Sequence, residues 1–435
     1  MDVIIYKNNL MVTQMQVNDI YNVNITDMNE FGNGIAKIDG FVVFVKNAVA
    51  GDTAEIKIYE IKKKYAKAEI VNILQKSSYR TCPPCQDYDE CGGCTLQHVN
   101  FELENNIKKN TLISSLKKNG ILWTEKLEIT ALSRYNYRNK ITLHFSEKQS
   151  AFGLYSEKTH NIVIFKGCLL CDPIINEIGT YINSIASSLA PSKPEYLTIW
   201  IGIDNIPSLS IKTLKNIDGK ILNELLYKFP NLSFIANNTV DNYEDSILDL
   251  RMKYSSVSFR QVNKNVFSEI LKHIEGLVSE NYNKTIIDLY CGSGVISLYL
   301  AKHFQKTSFY GIEIDNNAVE NARINAKINK LENISFICED SSYIKKICEK
   351  INISPFDTIV IVDPPRSGLS SESLNSILTL KPFILIYVSC NPQSLSRDIK
   401  LLLLNKYHIK TLKMFNMFPS TSHVETVVLM SRKDT

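Results

Sequence analysis

No apolar run in this chain approaches the roughly 20 residues that carry a helix across a bilayer; stretches such as those at 359–362 and 401–404 stop far short of that. A helical membrane protein is therefore not expected. The first nine residues lack the basic start, apolar stretch and small-residue cleavage site of a secretory leader, so a cytoplasmic location is expected. Internal repeats and low-complexity segments are also missing, which argues against a solenoid or a disordered array. Charge of one sign is scarce: the net is only +4. Attraction to nucleic acid would have to come from local basic patches. What is present is an ordinary globular composition, 44% hydrophobic and 22% charged over 435 residues. That length exceeds what one core supports and suggests about three domains.

Residues 14–74 read as short β segments (23–25, 41–45, 53–59 and 66–73) broken by Gly32, Gly34, Gly40 and Gly51. This spacing fits a small barrel of the OB type. Lys62, Lys63, Lys64 and Lys67 surround Tyr65, which suits either a nucleic-acid surface or a solvated edge strand. Residues 80–97 form a loop rich in cysteine, proline and glycine, and 101–118 have helical spacing. The middle third mixes short strands, at 141–145, 196–203 and 211–213, with helices. From about 255 the pattern becomes strand, glycine turn, helix, strand, as in a parallel sheet covered by helices. The expected division is a β-barrel at 1–76, an α/β domain carrying the cysteine loop at 77–255, and a Rossmann-like α/β domain at 256–435. The helix at 101–118 is a candidate to pack on the last of these.

Ten cysteines in a cytosolic chain should be mostly reduced. Six of them fall in two groups: Cys82, Cys85, Cys91 and Cys94, the last two flanking Gly92-Gly93, and then Cys168 and Cys171. Thiolates on glycine-rich backbone suit a tetrahedral zinc or an iron–sulfur cluster, and spacing does not choose between them. In the last domain, residues 286–290 run into Cys291-Gly292-Ser293-Gly294 and a helix over 296–303. A second strand ends at Glu313, placed to bind ribose hydroxyls. The third glycine of a dinucleotide fingerprint is missing, so a methyl donor fits better than a nicotinamide cofactor. A strand at 358–362 ends in Asp363-Pro364-Pro365-Arg366-Ser367-Gly368, and one at 383–389 delivers Cys390 to the same edge. A thiol there is either a nucleophile or an inert core cysteine. Glu425, before the final apolar run, is either a general base or a solvated carboxylate.

Taken together, these residues resemble the RNA (uracil-5-)-methyltransferase family, particularly its 23S ribosomal RNA members, over nearly the whole chain. Gly32-x-Gly34-Ile35-Ala36-Lys37 and Asp39-Gly40 look like the RNA-binding TRAM domain. Cys85, Cys91 and Cys94, with Gln97-His98 following, are similar to the family's 4Fe-4S site; Cys168 stands in the place of the distant fourth ligand, and Cys82 and Cys171 are bystanders. Phe259-x-Gln261-Val262-Asn263 and the 288–294 turn match the donor-binding motifs. Ser389-Cys390-Asn391-Pro392, with Leu395-x-Arg397-Asp398, matches the nucleophile motif, and His423-Val424-Glu425 the segment carrying the base. Tyr137-Arg138-Asn139-Lys140 matches an RNA-facing segment.

The resemblance implies S-adenosyl-L-methionine held by Gln261, Asp288, Tyr290, Gly292, Gly294, Glu313, Asp340 and Asp363. It implies a nucleophile, Cys390, that adds to uracil C6, a base, Glu425, that removes the C5 proton, and a 4Fe-4S cluster on Cys85, Cys91, Cys94 and Cys168. The expected partner is RNA, 23S rRNA ahead of tRNA, with the chain acting as a monomer. Two departures stand out: Arg260, where the family usually has phenylalanine, and Asn416, where it has aspartate. The competing readings are a radical enzyme, which would need Cys-x3-Cys-x2-Cys, and a non-catalytic cluster-bearing RNA-binding or ribosome-assembly protein.

Overall fold

The computed structural model describes residues 15–157, 159, 161–236, 243–254, 260–281 and 285–432. The N-terminal nine residues, Phe259 and the expected boundary at 255/256 lie outside the described residues. The chain divides into two compact units.

The first comprises Met1–Tyr88, Cys94–Thr111 and Ser420–Ser422. Its strands β1 (Ile20–Asn24), β2 (Asp27–Met28), β3 (Gly34–Ile38), β4 (Phe41–Val45), β5 (Thr53–Ile61) and β6 (Tyr65–Gln75) pair in the order β1-β5-β6-β4-β3-β2. Alternation drives this: Ala54, Ile56 and Ile58 of β5 are buried while the residues between them are less so, the period-two pattern of a strand with one covered face. These side chains join Val23, Val43, Val45, Ala66 and Ala68 in one core. Of the glycines at 32–40 read from sequence as breakers, Gly32 and Gly40 lie between strands, before β3 and between β3 and β4, whereas Gly34 lies within β3, opposite Val45.

The second unit comprises Asp89–Gly93, Leu112–Pro419 and His423–Thr435. After β7 (Glu128–Thr130) come β8 (Lys140–Ser146), β9 (Ala151–Tyr155), β10 (Ile162–Ile164), β11 (Pro194–Ile201), β12 (Pro207–Thr213) and β13 (Ser233–Ala236), which form a sheet ordered β10-β9-β8-β11-β12-β13. A hairpin follows, β14 (Tyr243–Ile247) with β15 (Leu250–Tyr254). The last strands are β16 (Thr285–Leu289), β17 (Ser308–Glu313), β18 (Ile334–Cys338), β19 (Thr358–Val362), β20 (Ile384–Ser389), β21 (Tyr407–Phe415) and β22 (Glu425–Arg432). With β7 they build an eight-stranded sheet, β18-β17-β16-β19-β20-β22-β21-β7. Its central strands, such as β19 and β20, are buried along their whole length because both faces are covered. Ile286, Ile359 and Ile361 enter one core, and Ile287, Val360 and Val362 enter the other.

This sheet is mixed rather than wholly parallel: β22 runs antiparallel to both β20 and β21. It returns from β21 through a loop without a crossover helix, and a strand entering a sheet that way runs antiparallel. The sheet also draws β7 from far upstream. The helix Phe101–Lys118 has the bounds its spacing predicts; its Leu112 and Leu116 lie in a core cluster with Ile287, Val360 and Leu385. Among the described residues no helix is long and apolar enough to cross a membrane.

Candidate active site

All the strands of the large sheet except β22 end at one edge, and the first part of the site is the turn after β16. Tyr290, Gly292 and Gly294 all have positive φ, 63°, 54° and 85°, so the chain reverses within a few residues. The two glycines serve different ends. A side chain on Gly294 would meet the Phe336 ring at 2.7 Å, whereas one on Gly292 would meet nothing within 4 Å. Gly294 lets the helix Val295–His303 pack, and Gly292 leaves its backbone open to a ligand. The Gly292 N–H donates to Glu313 Oε2 at 3.1 Å, tying the turn to the end of β17.

Beside this turn lies a cavity of about 350 Å³ walled by Gln261, Asp288, Tyr290, Gly292, Glu313 and Asp363, six of the residues expected to hold the donor. Gly294 and Asp340 are not on its wall. Asp340 caps the short turn Ser341–Tyr343, its Oδ1 accepting from Ser342 N at 2.7 Å. Four more charged residues share the wall: Asp245, Arg260, Lys264 and Asp315. Asp245 sits on the hairpin and pairs with Lys264, a long-range meeting that no local motif announces. The volume, the open backbone at Gly292 and the carboxylate ending β17 fit an adenosyl amino acid.

Next along the edge, Asp363 directly follows β19 and Cys390 directly follows β20, while Glu425 opens β22. Ser389 pairs with Thr426 across β20 and β22, so one step further in that register places Cys390 opposite Glu425. Their electrostatics agree with this neighbourhood. Burial, then Glu425 and Asp363, push the Cys390 thiol up to about 11, against the opposing charge of Arg366. Burial and Asp363 raise Glu425 well above the usual carboxylate range, again opposed by Arg366. Asp363 is pushed up to about 7 by burial, and Asp288 to about 7 by burial with Asp363 and Glu313 adding to it. Asp363 thus borders both the cavity and the thiol.

The loops that carry these groups are clamped together. Asn391 Nδ2 and Ser394 Oγ donate to the Arg366 carbonyl at 2.8 and 3.1 Å. Buried Asp398 accepts from Leu369 N at 2.9 Å, Tyr387 Oη at 2.7 Å and Arg397 Nε at 2.8 Å. Gly368, with φ 79°, passes so near that an added side chain would lie 2.6 Å from Asp398 Oδ2. The Leu395-x-Arg397-Asp398 motif is therefore a brace for the loop that carries Cys390.

The cysteines divide between the units: Cys85 and Cys94 belong to the first, Cys91 and Cys168 to the second. Within the first, Cys85 N donates to Gln97 Oε1 at 3.3 Å and Tyr88 Oη meets His98 Nδ1 at 2.7 Å. In the second, a hydrogen bond from Cys171, helped by Arg138, lowers the Cys168 thiol to about 6; Cys171 itself is raised. Cys171, expected as a bystander, thus favours the thiolate form of Cys168. The thiol set suits a soft metal or cluster. Among the described residues no group of three or more His, Cys, Asp or Glu comes together to hold a metal ion.

A family model described as tRNA (uracil-5-)-methyltransferase matches residues 238–433, and a TRAM domain model matches residues 14–71. An uncharacterized RNA methyltransferase of Clostridium acetobutylicum is 34% identical across 97% of this chain and 99% of its own length. A second, from Staphylococcus aureus strain MRSA252, is 30% identical across 96% and 99%. The crystal structure of Pyrococcus abyssi tRNA (uracil-54, C5)-methyltransferase in complex with S-adenosyl-L-homocysteine superposes with a TM-score of 0.72 at 22% identity, covering 94% of this chain and 99% of that one. At that identity the likeness speaks for the fold. The chain belongs to the S-adenosylmethionine-dependent RNA (uracil-5-)-methyltransferase family and carries its TRAM domain.

Proposed function

We propose that this chain methylates uracil C5 in 23S rRNA through a covalent adduct on Cys390, with Glu425 as the base, acting as a monomer in the cytoplasm. The observation that carries the reading is the run of Asp288, Asp363, Cys390 and Glu425 along four successive strands of one sheet, β16, β19, β20 and β22. Uracil C5 is too poor a nucleophile to take a methyl group unaided. Cys390 Sγ adds to C6, breaking the C5–C6 double bond and placing charge on C5 and the neighbouring oxygen. S-adenosylmethionine, when bound, supplies an electrophilic methyl on a sulfonium, and C5 takes it as S-adenosylhomocysteine leaves. Glu425 then accepts the C5 proton, the double bond re-forms and the C6–S bond breaks. Burial favours the protonated form of Asp363, which can donate a hydrogen bond to the uracil edge, whereas Glu425 has to be ionised when it takes the C5 proton, a form that Arg366 favours. Attack on a ring face requires an unstacked base, which favours loops and bulges as targets.

The TRAM domain supplies affinity for the RNA backbone. Glu60 holds Lys62 and Lys67, each at 2.6 Å, which leaves exposed Lys63 and Lys64 as the outward charges of that stretch. Cys85, Cys91, Cys94 and Cys168 are proposed to hold a 4Fe-4S cluster, supported by their spacing and by the acidic thiol of Cys168. Protein purified without oxygen should be brown and contain iron and sulfide; a colourless, zinc-containing preparation would overturn that assignment.

The TRAM and cysteine segments together favour ribosomal RNA, while the names of the family model and of the P. abyssi relative favour tRNA. Mapping 5-methyluridine in cells with and without this chain decides. Loss of one or more 23S sites supports the proposal, loss only in tRNA moves the substrate, and loss in neither contradicts the activity.

A further inference from the structure

We infer that Arg260, backed by Lys140, seats the α-carboxylate of the donor's methionyl group. This rests on the donor reading of the cavity and adds a specificity-determining residue to it. Arg260 is 8% exposed and lies on the cavity wall beside Gln261. Its guanidinium stands 5.6 Å from the Trp200 ring centre and 5.8 Å from that of Tyr254, so two aromatic faces fix its plane. Lys140 is the register partner of Trp200 across β8 and β11, and burial with the charge of Arg260 lowers it to about 8. Two cations are thus brought together in a poorly hydrated place.

The nearby carboxylate on the wall, Asp245, is engaged by Lys264. The helix Lys264–Glu280 begins just beyond, capped by Asn263, and adds its partial positive end. The segment is held rigidly: Asn139 N donates to Val262 O at 2.9 Å, Asn139 Nδ2 to Gln261 O at 3.3 Å and Asn263 Nδ2 to Met417 O at 2.9 Å. The Tyr137-Arg138-Asn139-Lys140 motif is therefore joined to the donor wall.

Polarity completes the case. Asp363 and Glu313 both act on Asp288 at the glycine turn, whereas Arg260 acts on Lys140 and, with Asp245 opposing it, on Tyr254. The cavity lining carries Arg260, with Lys264 engaged by Asp245, as well as Asp288, Glu313 and Asp363, and an amino-acid zwitterion has both signs of charge to offer them. An Arg–carboxylate pair bonded through two parallel N–H groups matches this in both geometry and strength.

Titration calorimetry on the full chain tests it with two probes, S-adenosylmethionine and its decarboxylated form, which keeps the amine. The wild type should prefer the carboxylated probe by about 30-fold. In Arg260→Gln that preference should fall to within about threefold, with affinity for the decarboxylated probe kept, and Arg260→Lys should be intermediate. Lys140→Met should reduce the preference by about threefold. A wild type that binds both probes equally overturns the inference without recourse to any variant, as does an Arg260→Gln protein whose preference is unchanged. A wild type that binds neither overturns the donor reading itself.

Discussion

The two halves of the large sheet reach the same edge by opposite routes. On the donor half, β16, β17 and β19 run parallel, and each delivers its functional residue at or just past its carboxyl end: Asp288, Glu313 and Asp363. On the acceptor half, β20 delivers Cys390 at its end while the antiparallel β22 delivers Glu425 at its start. A parallel sheet lines up strand ends but spaces successive functional residues by a crossover each. The inserted antiparallel strand sets a carboxylate against a thiol from a segment that enters the edge instead of leaving it. If the proposed roles hold, donor binding and covalent chemistry are built by separable geometries, and variants should separate them.

The largest effect belongs to the acceptor half. Cys390→Ala should reduce methyl transfer on the order of 10⁴-fold or more with donor affinity within about twofold of wild type; Glu313→Ala should do the reverse, weakening the donor while leaving thiol addition possible. Single-turnover assays paired with donor titration check both, and a Cys390→Ala protein that still turns over would break the distinction.

Glu425→Gln comes next. Turnover should fall about 10²- to 10⁴-fold, and methylated RNA should stay attached to the protein through denaturing electrophoresis, because addition proceeds while elimination does not. A comparable loss without attached RNA would move Glu425 to the addition step.

Arg366→Ala should act through charge. Arg366 opposes the upward shift of both Cys390 and Glu425, so its loss should raise both and shrink the thiolate fraction at neutral pH. The rate of adduct formation should drop about tenfold near neutrality, the equivalent of one pKa unit. It should recover toward wild type as pH rises, and a pH-independent loss would assign Arg366 to RNA contact instead.

Asp363→Asn gives the smallest signal and reads stability. Asp363 is pushed up to about 7 in the fold against about 3.9 unfolded. The stability tied to its neutral form is fully present below about pH 4 and is lost as pH rises toward 7. Asparagine cannot ionise, so the variant should exceed wild type on the order of 1–2 kcal/mol in mildly alkaline buffer and match it in acid. Denaturant titrations at the two pH values check this, and the opposite order would show Asp363 paired rather than isolated.

The same contrast explains what was legible in the sequence. Cys291-Gly292-Ser293-Gly294 and Asp363-Pro364-Pro365 are local: each strand, its turn and its ligand group are contiguous, so pattern and chemistry coincide. Glu425 is adjacent to Cys390 only through antiparallel pairing, and spacing left it open between base and surface carboxylate. The antiparallel insertion itself could not be read, because an apolar strand looks alike in either direction. Nor could the Asp245–Lys264 pair or the seat of Arg260, which depend on the hairpin β14–β15 and on Trp200, far away in the chain. Asp340, expected among the donor residues, also caps the turn that follows its strand, a local role that the sequence pattern did not announce.

The central claim is best tested by incubating the full chain with donor and RNA carrying 5-fluorouridine, whose C5 fluorine cannot be removed by a base. Intact mass and peptide mapping should find methylated RNA bound to the sulfur of Cys390, and none when the donor site is empty of S-adenosylmethionine or when Cys390 is alanine. RNA attached to another residue such as exposed Cys338, or full donor consumption with no attachment at all, would contradict the pairing of thiol and carboxylate at this sheet edge.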